Sequence, residues 1–200
     1  MTFTENHLYH VYNRGNNQQQ LFFNREHYLH FLRNIRKFIS PRCELFAWCL
    51  MPNHFHLLLY ANEESSRIIK KNPIPVNSLT EGIRLTLSSY TKALQKQRQF
   101  TGNLFQQKTK CKCIDDGDKN YGIQAFHYIH QNPFKAKLIG RMEDWEFSSL
   151  QDYIGIRNGN LINKALATEL LDLQAETLLK ESYRDIPDSE MTHFLKPGWR

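Results

Sequence analysis

The hydrophobic pattern changes period several times along the chain, and each change marks an element. Leu8 to Tyr12 alternates, then meets the polar run Asn13-Arg14-Gly15-Asn16-Asn17-Gln18-Gln19-Gln20, which reads as a strand entering a loop. Arg25 to Ile39 places Tyr28, Leu32, Ile35 and Phe38/Ile39 at helical spacing, and Ser40-Pro41 stops it. Two apolar runs follow, Leu45 to Leu50 and His54 to Tyr60, joined at Pro52-Asn53 as a β-hairpin. Asn62 to Asn77, with its prolines and charges, is a connection. Ser78 and Glu81 predict a capping box opening a second helix, which carries Leu85, Tyr90 and Leu94.

The second half begins with Leu104 to Ile114, a polar strand with Lys108, Lys110 and Lys112 on one face and Thr109, Cys111 and Cys113 on the other. Asp115 to Asn120 turns the chain into a third helix, expected from Tyr121 to about Gln131, because the residue before Pro133 avoids the helical region. The aromatic stretch through Trp145, Phe147 and Tyr153 should pack back on the domain. Asn163 to about Tyr183 reads as one final helix, and the end through Pro197-Gly198 as loosely structured. The order β, α, β, β, α, β predicts an α+β fold, a ferredoxin-like sandwich of an antiparallel sheet with helices packed on it, plus a C-terminal helical extension. Residues 1–156 form the expected main domain and 157–200 the extension and tail.

Charge adds a partner to this picture. The net formal charge is +6, and it is uneven: residues 1–156 hold 20 Lys and Arg against 13 Asp and Glu, whereas 157–200 hold 6 against 7. A basic main domain points to a polyanion such as nucleic acid, with a merely solvated basic face as the alternative. The N-terminus lacks the apolar core of a signal peptide and no run approaches a membrane span, so a cytosolic protein with Cys43, Cys49, Cys111 and Cys113 reduced is expected.

Candidate chemistry centres on the hairpin. Alternation puts His54 and His56 on one strand face, with Phe55, Leu57 and Leu59 on the other. Either hydrogen bonds satisfy these imidazoles, or they bind a divalent metal. Tyr128 and Asn132 stand at i, i+4 on the third helix and share a face. Three neutral ligands would leave the full charge of an ion for polarising a phosphodiester, and a tyrosine could supply the nucleophile.

The segments FAWCLMPNHFHLLL and YIHQNPFKAKL resemble the two signature blocks of the HUH single-tyrosine transposases, in particular the REP-associated tyrosine transposases. YHVYNRGNNQQQLF, LFQQKTK and WEFSSLQDY extend the likeness to roughly residues 7 to 155. The resemblance implies that His54, His56 and Asn132 bind Mg²⁺ or Mn²⁺ and that Tyr128 is the nucleophile. It further implies cleavage and rejoining of single-stranded DNA near hairpins through a 5′-phosphotyrosine, by a monomer or homodimer. Arg14, Lys108, Lys110 and Lys112 are the expected DNA contacts. Two other readings stand beside it: a DNA-hairpin-binding protein without turnover, and a structural zinc site joining His54/His56 to Cys111/Cys113.

Overall fold

A computed structural model of the protein describes residues 1–71, 73–114, 120–193 and 195. Most of the turn expected at 115–120 and the tail through Pro197-Gly198 lie outside the described residues. The elements are β1 (Leu8–Arg14), α1 (Arg25–Phe38), β2 (Glu44–Met51), β3 (His54–Tyr60), α2 (Glu63–Ser66), β4 (Ile68–Lys70), β5 (Val76–Asn77) and α3 (Ser78–Arg98). They continue with β6 (Lys110–Cys113), α4 (Asn120–Lys135), α5 (Leu150–Tyr153), α6 (Lys164–Leu171), α7 (Leu178–Ser182) and α8 (Asp188–Met191). None of the helices, among the described residues, is long and apolar enough to cross a membrane.

The main sheet has the order β2-β3-β1-β6, each neighbouring pair antiparallel, and β4 and β5 form a separate two-stranded ribbon. This is the expected ferredoxin-like sandwich, in which β1-α1-β2 and β3-α3-β6 are two interleaved βαβ units. Phe55, Leu57 and Leu59 point to the face covered by α1 and α3: Phe31 of α1 meets the ring of Phe55 at 5.2 Å and that of Tyr90, on α3, also at 5.2 Å. The opposite face receives α4, whose Tyr128 ring stands 5.6 Å from that of His56. Burying both faces explains why β2 and β3 are almost continuously apolar.

The aromatic stretch closes the β2 edge. Leu50 N–H donates to Phe147 O and Ser149 N–H to Trp48 O, while Phe147 stacks on Tyr28 at 3.8 Å. The C-terminal extension packs on the back of α4, where His127 Nδ1 lies 2.9 Å from Ser182 Oγ and the Gln131 amide donates to the carbonyls of Ser182 and Arg184.

Four local expectations are corrected. The lysine-bearing strand is only Lys110–Cys113, because Phe105 pairs with Gly15 and the chain bends at Gln107 and Lys108 before rejoining the sheet. The final helix is split into α6 and α7, with Asp172 in the left-handed region at φ 50°. The capping box forms at Asn62 and Ser65 instead of Ser78, whose hydroxyl donates to Glu64 while Glu81 binds Arg84 and Lys70. Finally, α4 runs through Pro133 to Lys135.

Gly82 lets α3 pass directly against the end of α1, for a Cβ there would lie 2.2 Å from the Phe38 carbonyl oxygen. Alanine gains about 1 kcal/mol of helix propensity, but relieving a clash this close with fixed backbone costs roughly 2–3 kcal/mol. Gly82→Ala should therefore lower stability by about 1–2 kcal/mol in urea titration; an unchanged midpoint would show that the two helices can separate freely.

Acid should also loosen the α4–α7 contact. Burial holds His127 down to about 4, partly opposed by Glu181 and reinforced by Arg184. Between the ordinary value of 6.5 and about 4 the unfolded chain takes up a proton that the folded chain does not, so stability falls as pH falls through that window. The contribution is on the order of 3 kcal/mol. Denaturant titrations at pH 7 and pH 4.5 should show a smaller loss for His127→Gln than for the unaltered protein.

Candidate active site

The site is built first by strand register. In antiparallel pairing, directly opposed residues share a face, so the cross-strand rows can be read as neighbours. Arg14, His54 and Met51 form one row; Lys110, Tyr12, His56 and Cys49 form the next; Lys112, His10, Leu58 and Ala47 the third. Both hairpin histidines thus face α4, on the side away from Phe55.

His56 is fully buried, and His54 is partly exposed at the hairpin mouth. The Pro52-Asn53 turn holds His54: Asn53 Oδ1 lies 2.7 Å from its Nδ1. His56 is held by a residue that sequence reading did not single out. His10 Nε2 is 2.9 Å from His56 Nδ1, the two rings being stacked at 5.0 Å and 22°. Alternation in Leu8-Tyr9-His10-Val11-Tyr12 put His10 and Tyr12 on one face, but nothing local said which face of β3 they would meet.

The helix supplies the other two groups. Tyr128 packs edge-on against both imidazoles, with ring centroids 5.6 Å from His56 and 6.1 Å from His10. Its helix survives the proline because Asn132 compensates. Pro133 has no N–H for the Ile129 carbonyl, and the Asn132 side-chain amide donates to Tyr128 O at 2.8 Å and, more weakly, to Ile129 O at 3.5 Å. With its nitrogen so occupied, the carboxamide turns its oxygen to His54, to which it is hydrogen-bonded. The helix before Pro133 therefore reaches the histidines.

Electrostatics suit this group to cation binding. Burial pushes His54 down to about 4, an effect opposed by the hydrogen bond to Asn132 and reinforced by Arg14. His56 is held well below its ordinary value by burial, with His10 and His54 adding to the effect. Both imidazoles are thus neutral at physiological pH, the form that ligates metals. Among the described residues, no three His, Cys, Asp or Glu side chains form a group that could hold a metal by themselves. The donor set here is two neutral imidazoles and one carboxamide oxygen, which fits a divalent ion such as Mn²⁺ or Mg²⁺ bound with open positions.

The basic candidates divide. Arg14 sits at the end of β1 directly opposite His54, and Lys110 and Lys112 share the histidine face. Lys108 lies outside β6, exposed, on a separate groove between α3 and residues 102–109. Much of the amide-rich loop is spent on the fold itself: Gln19 donates to Asn103 O and Leu104 O, and Asn13 to Gln106 O and Thr109 Oγ1. The zinc reading is corrected: Cys111 pairs with Val11 and Cys113 with Tyr9, so both thiols lie on the face opposite the histidines, with the sheet between them.

No protein-family model matches the sequence, and no curated protein does. A solved structure of a REP-associated tyrosine transposase bound to a REP hairpin aligns at TM-score 0.59 and 18% identity, covering 82% of this chain and 92% of that one. A bacterial tRNA(His) guanylyltransferase (Thg1)-like protein in complex with GTP reaches TM-score 0.38 at 8% identity, over 70% of this chain and 71% of that one. Its complex with ATP gives 0.36 at 10%, over 72% of each chain, and neither value carries a shared architecture. The chain has the fold of a REP-associated tyrosine transposase.

Proposed function

We propose that this protein is a metal-dependent DNA transesterase, transposase-like, that cleaves and rejoins single strands near hairpins through a 5′-phosphotyrosine. One observation carries the reading: α4 brings Tyr128 and Asn132 onto the sheet face that holds His54 and His56. The hairpin bound by the transposase of like fold supports DNA as the partner. His54, His56 and Asn132 would hold a Mg²⁺ or Mn²⁺ ion, which would supply Lewis-acid polarisation and orientation of the scissile phosphodiester.

Tyr128 is the nucleophile. Its phenol loses a proton to solvent and its oxygen attacks phosphorus; the bond from phosphorus to the 3′ oxygen breaks, and that oxygen takes up a proton. The 5′ phosphate stays on the tyrosine, so a 3′ hydroxyl can reverse the step with no external energy source. Arg14, beside His54, holds the phosphate next to the break, and Lys110 and Lys112 extend the cationic track along the same face. Lys108 contacts DNA farther out. The protein works in the cytosol, where its four cysteines stay reduced.

Incubation with Mn²⁺ and single-stranded hairpin DNA from the flanks of the gene should yield an adduct stable in SDS. Tyr128→Phe should abolish it. An adduct of equal yield in that variant would remove Tyr128 from its role, and none with the unaltered protein would remove the reaction. His56→Ala should lose cleavage while retaining hairpin binding, and parallel loss of both would make the histidine structural.

Binding should weaken as salt rises. For single-stranded contacts each neutralised phosphate contributes about 0.7 to the slope of log affinity against log salt, so Lys110→Ala with Lys112→Ala should flatten it by about 1.4. An unchanged slope in fluorescence-anisotropy titrations would take these lysines off the DNA path.

A further inference from the structure

Metal-ligating histidines are usually oriented by a hydrogen bond to their second nitrogen. In this chain the group at that place is a third histidine. His10 lies fully buried on the central strand β1, its Nε2 2.9 Å from Nδ1 of His56. Its own ring is fixed by Tyr12, 4.6 Å away on the same strand, and by the edge of Tyr128 at 6.1 Å.

A neutral imidazole carries one N–H, so two facing nitrogens at this distance share a single proton. There are two arrangements. If His10 donates from Nε2, the proton of His56 must sit on its own Nε2, and that nitrogen has no lone pair to give. If His56 donates from Nδ1, its Nε2 lone pair is available, and His10 carries its proton on Nδ1.

We propose that His10 is a positioning residue: its Nε2 accepts from Nδ1–H of His56 and holds His56 in the tautomer whose Nε2 can ligate a divalent cation. The inference rests on the metal reading above and extends it to a residue outside the ligand set. A carboxylate in the place of His10 would bring a negative charge into a fully buried position. A neutral imidazole performs the same orientation without that charge and leaves the ion's electrostatic pull on a phosphodiester undiminished.

Two measurements test it. In metal-free protein with ¹⁵N-labelled histidine, long-range ¹H–¹⁵N NMR should report His56 protonated at Nδ1 and bare at Nε2; the reverse tautomer overturns the proposal. Mn²⁺ affinity is then read by the electron paramagnetic resonance of the free ion. His10→Gln keeps an oxygen acceptor and should bind close to the unaltered value, whereas His10→Phe keeps the ring and loses the acceptor, and should bind about 10–100-fold more weakly.

Equal affinities in the two variants, with the unaltered protein binding normally, overturn the role of His10 alone. No Mn²⁺ binding by the unaltered protein overturns the metal reading and this inference together. The NMR measurement needs no variant, so the tautomer remains decidable if His10→Phe does not fold.

Discussion

The register of β3 between β1 and β2 is the constraint on which the rest of the structure depends. Because side chains alternate with a period of two, a slip of one residue would carry His54 and His56 to the α1 face and bring Phe55 and Leu57 beneath α4. The apolar half of the same strand prevents this. Phe55, Leu57 and Leu59 are buried against the layer that contains Phe31 and Tyr90, and exchanging them for imidazoles would leave polar rings in an aromatic core. The polar site is thus held in place by the packing of the opposite face.

The helix that completes the site is secured from behind. His127 and Gln131 of α4 engage α7 and Arg184 beyond it, and His130 Nε2 lies 2.8 Å from Ser149 Oγ beside β2. Those three face away from the site, while Tyr128 and Asn132, one turn apart, face into it. The C-terminal extension therefore contributes to the position of Tyr128 without supplying any of the candidate groups. Asn132 has a double task, since the nitrogen that satisfies carbonyls near Pro133 also fixes which way its oxygen points.

Burial has a chemical consequence as well as a stabilising one. It disfavours the charged form of His54 and His56, and Arg14 beside His54 and the His10 imidazole beside His56 add to the effect. The same burial that keeps the imidazoles neutral makes the fold sensitive to acid. Arg14, Lys110 and Lys112 form a basic rim beside a neutral centre, so that the positive charge and the imidazoles can be altered independently.

Much of this was legible in the sequence because it is local. Period-two alternation determined that His54 and His56 share a face, that Cys111 and Cys113 oppose Lys110 and Lys112, and that Tyr128 and Asn132 sit one helical turn apart; the element order determined the sandwich. What local pattern does not encode is which face meets which. Only the pairing of β1 with β3 and β6, across large sequence separations, put His10 against His56 and the thiols on the far side of the sheet. The helix through Pro133 was likewise a tertiary outcome: the proline's local preference predicted an end, and an asparagine bonding back to the open carbonyls, with packing on both sides of α4, carried the helix on. Propensity acts over a few residues, whereas register and packing are settled by contacts that form only when the whole sheet is assembled.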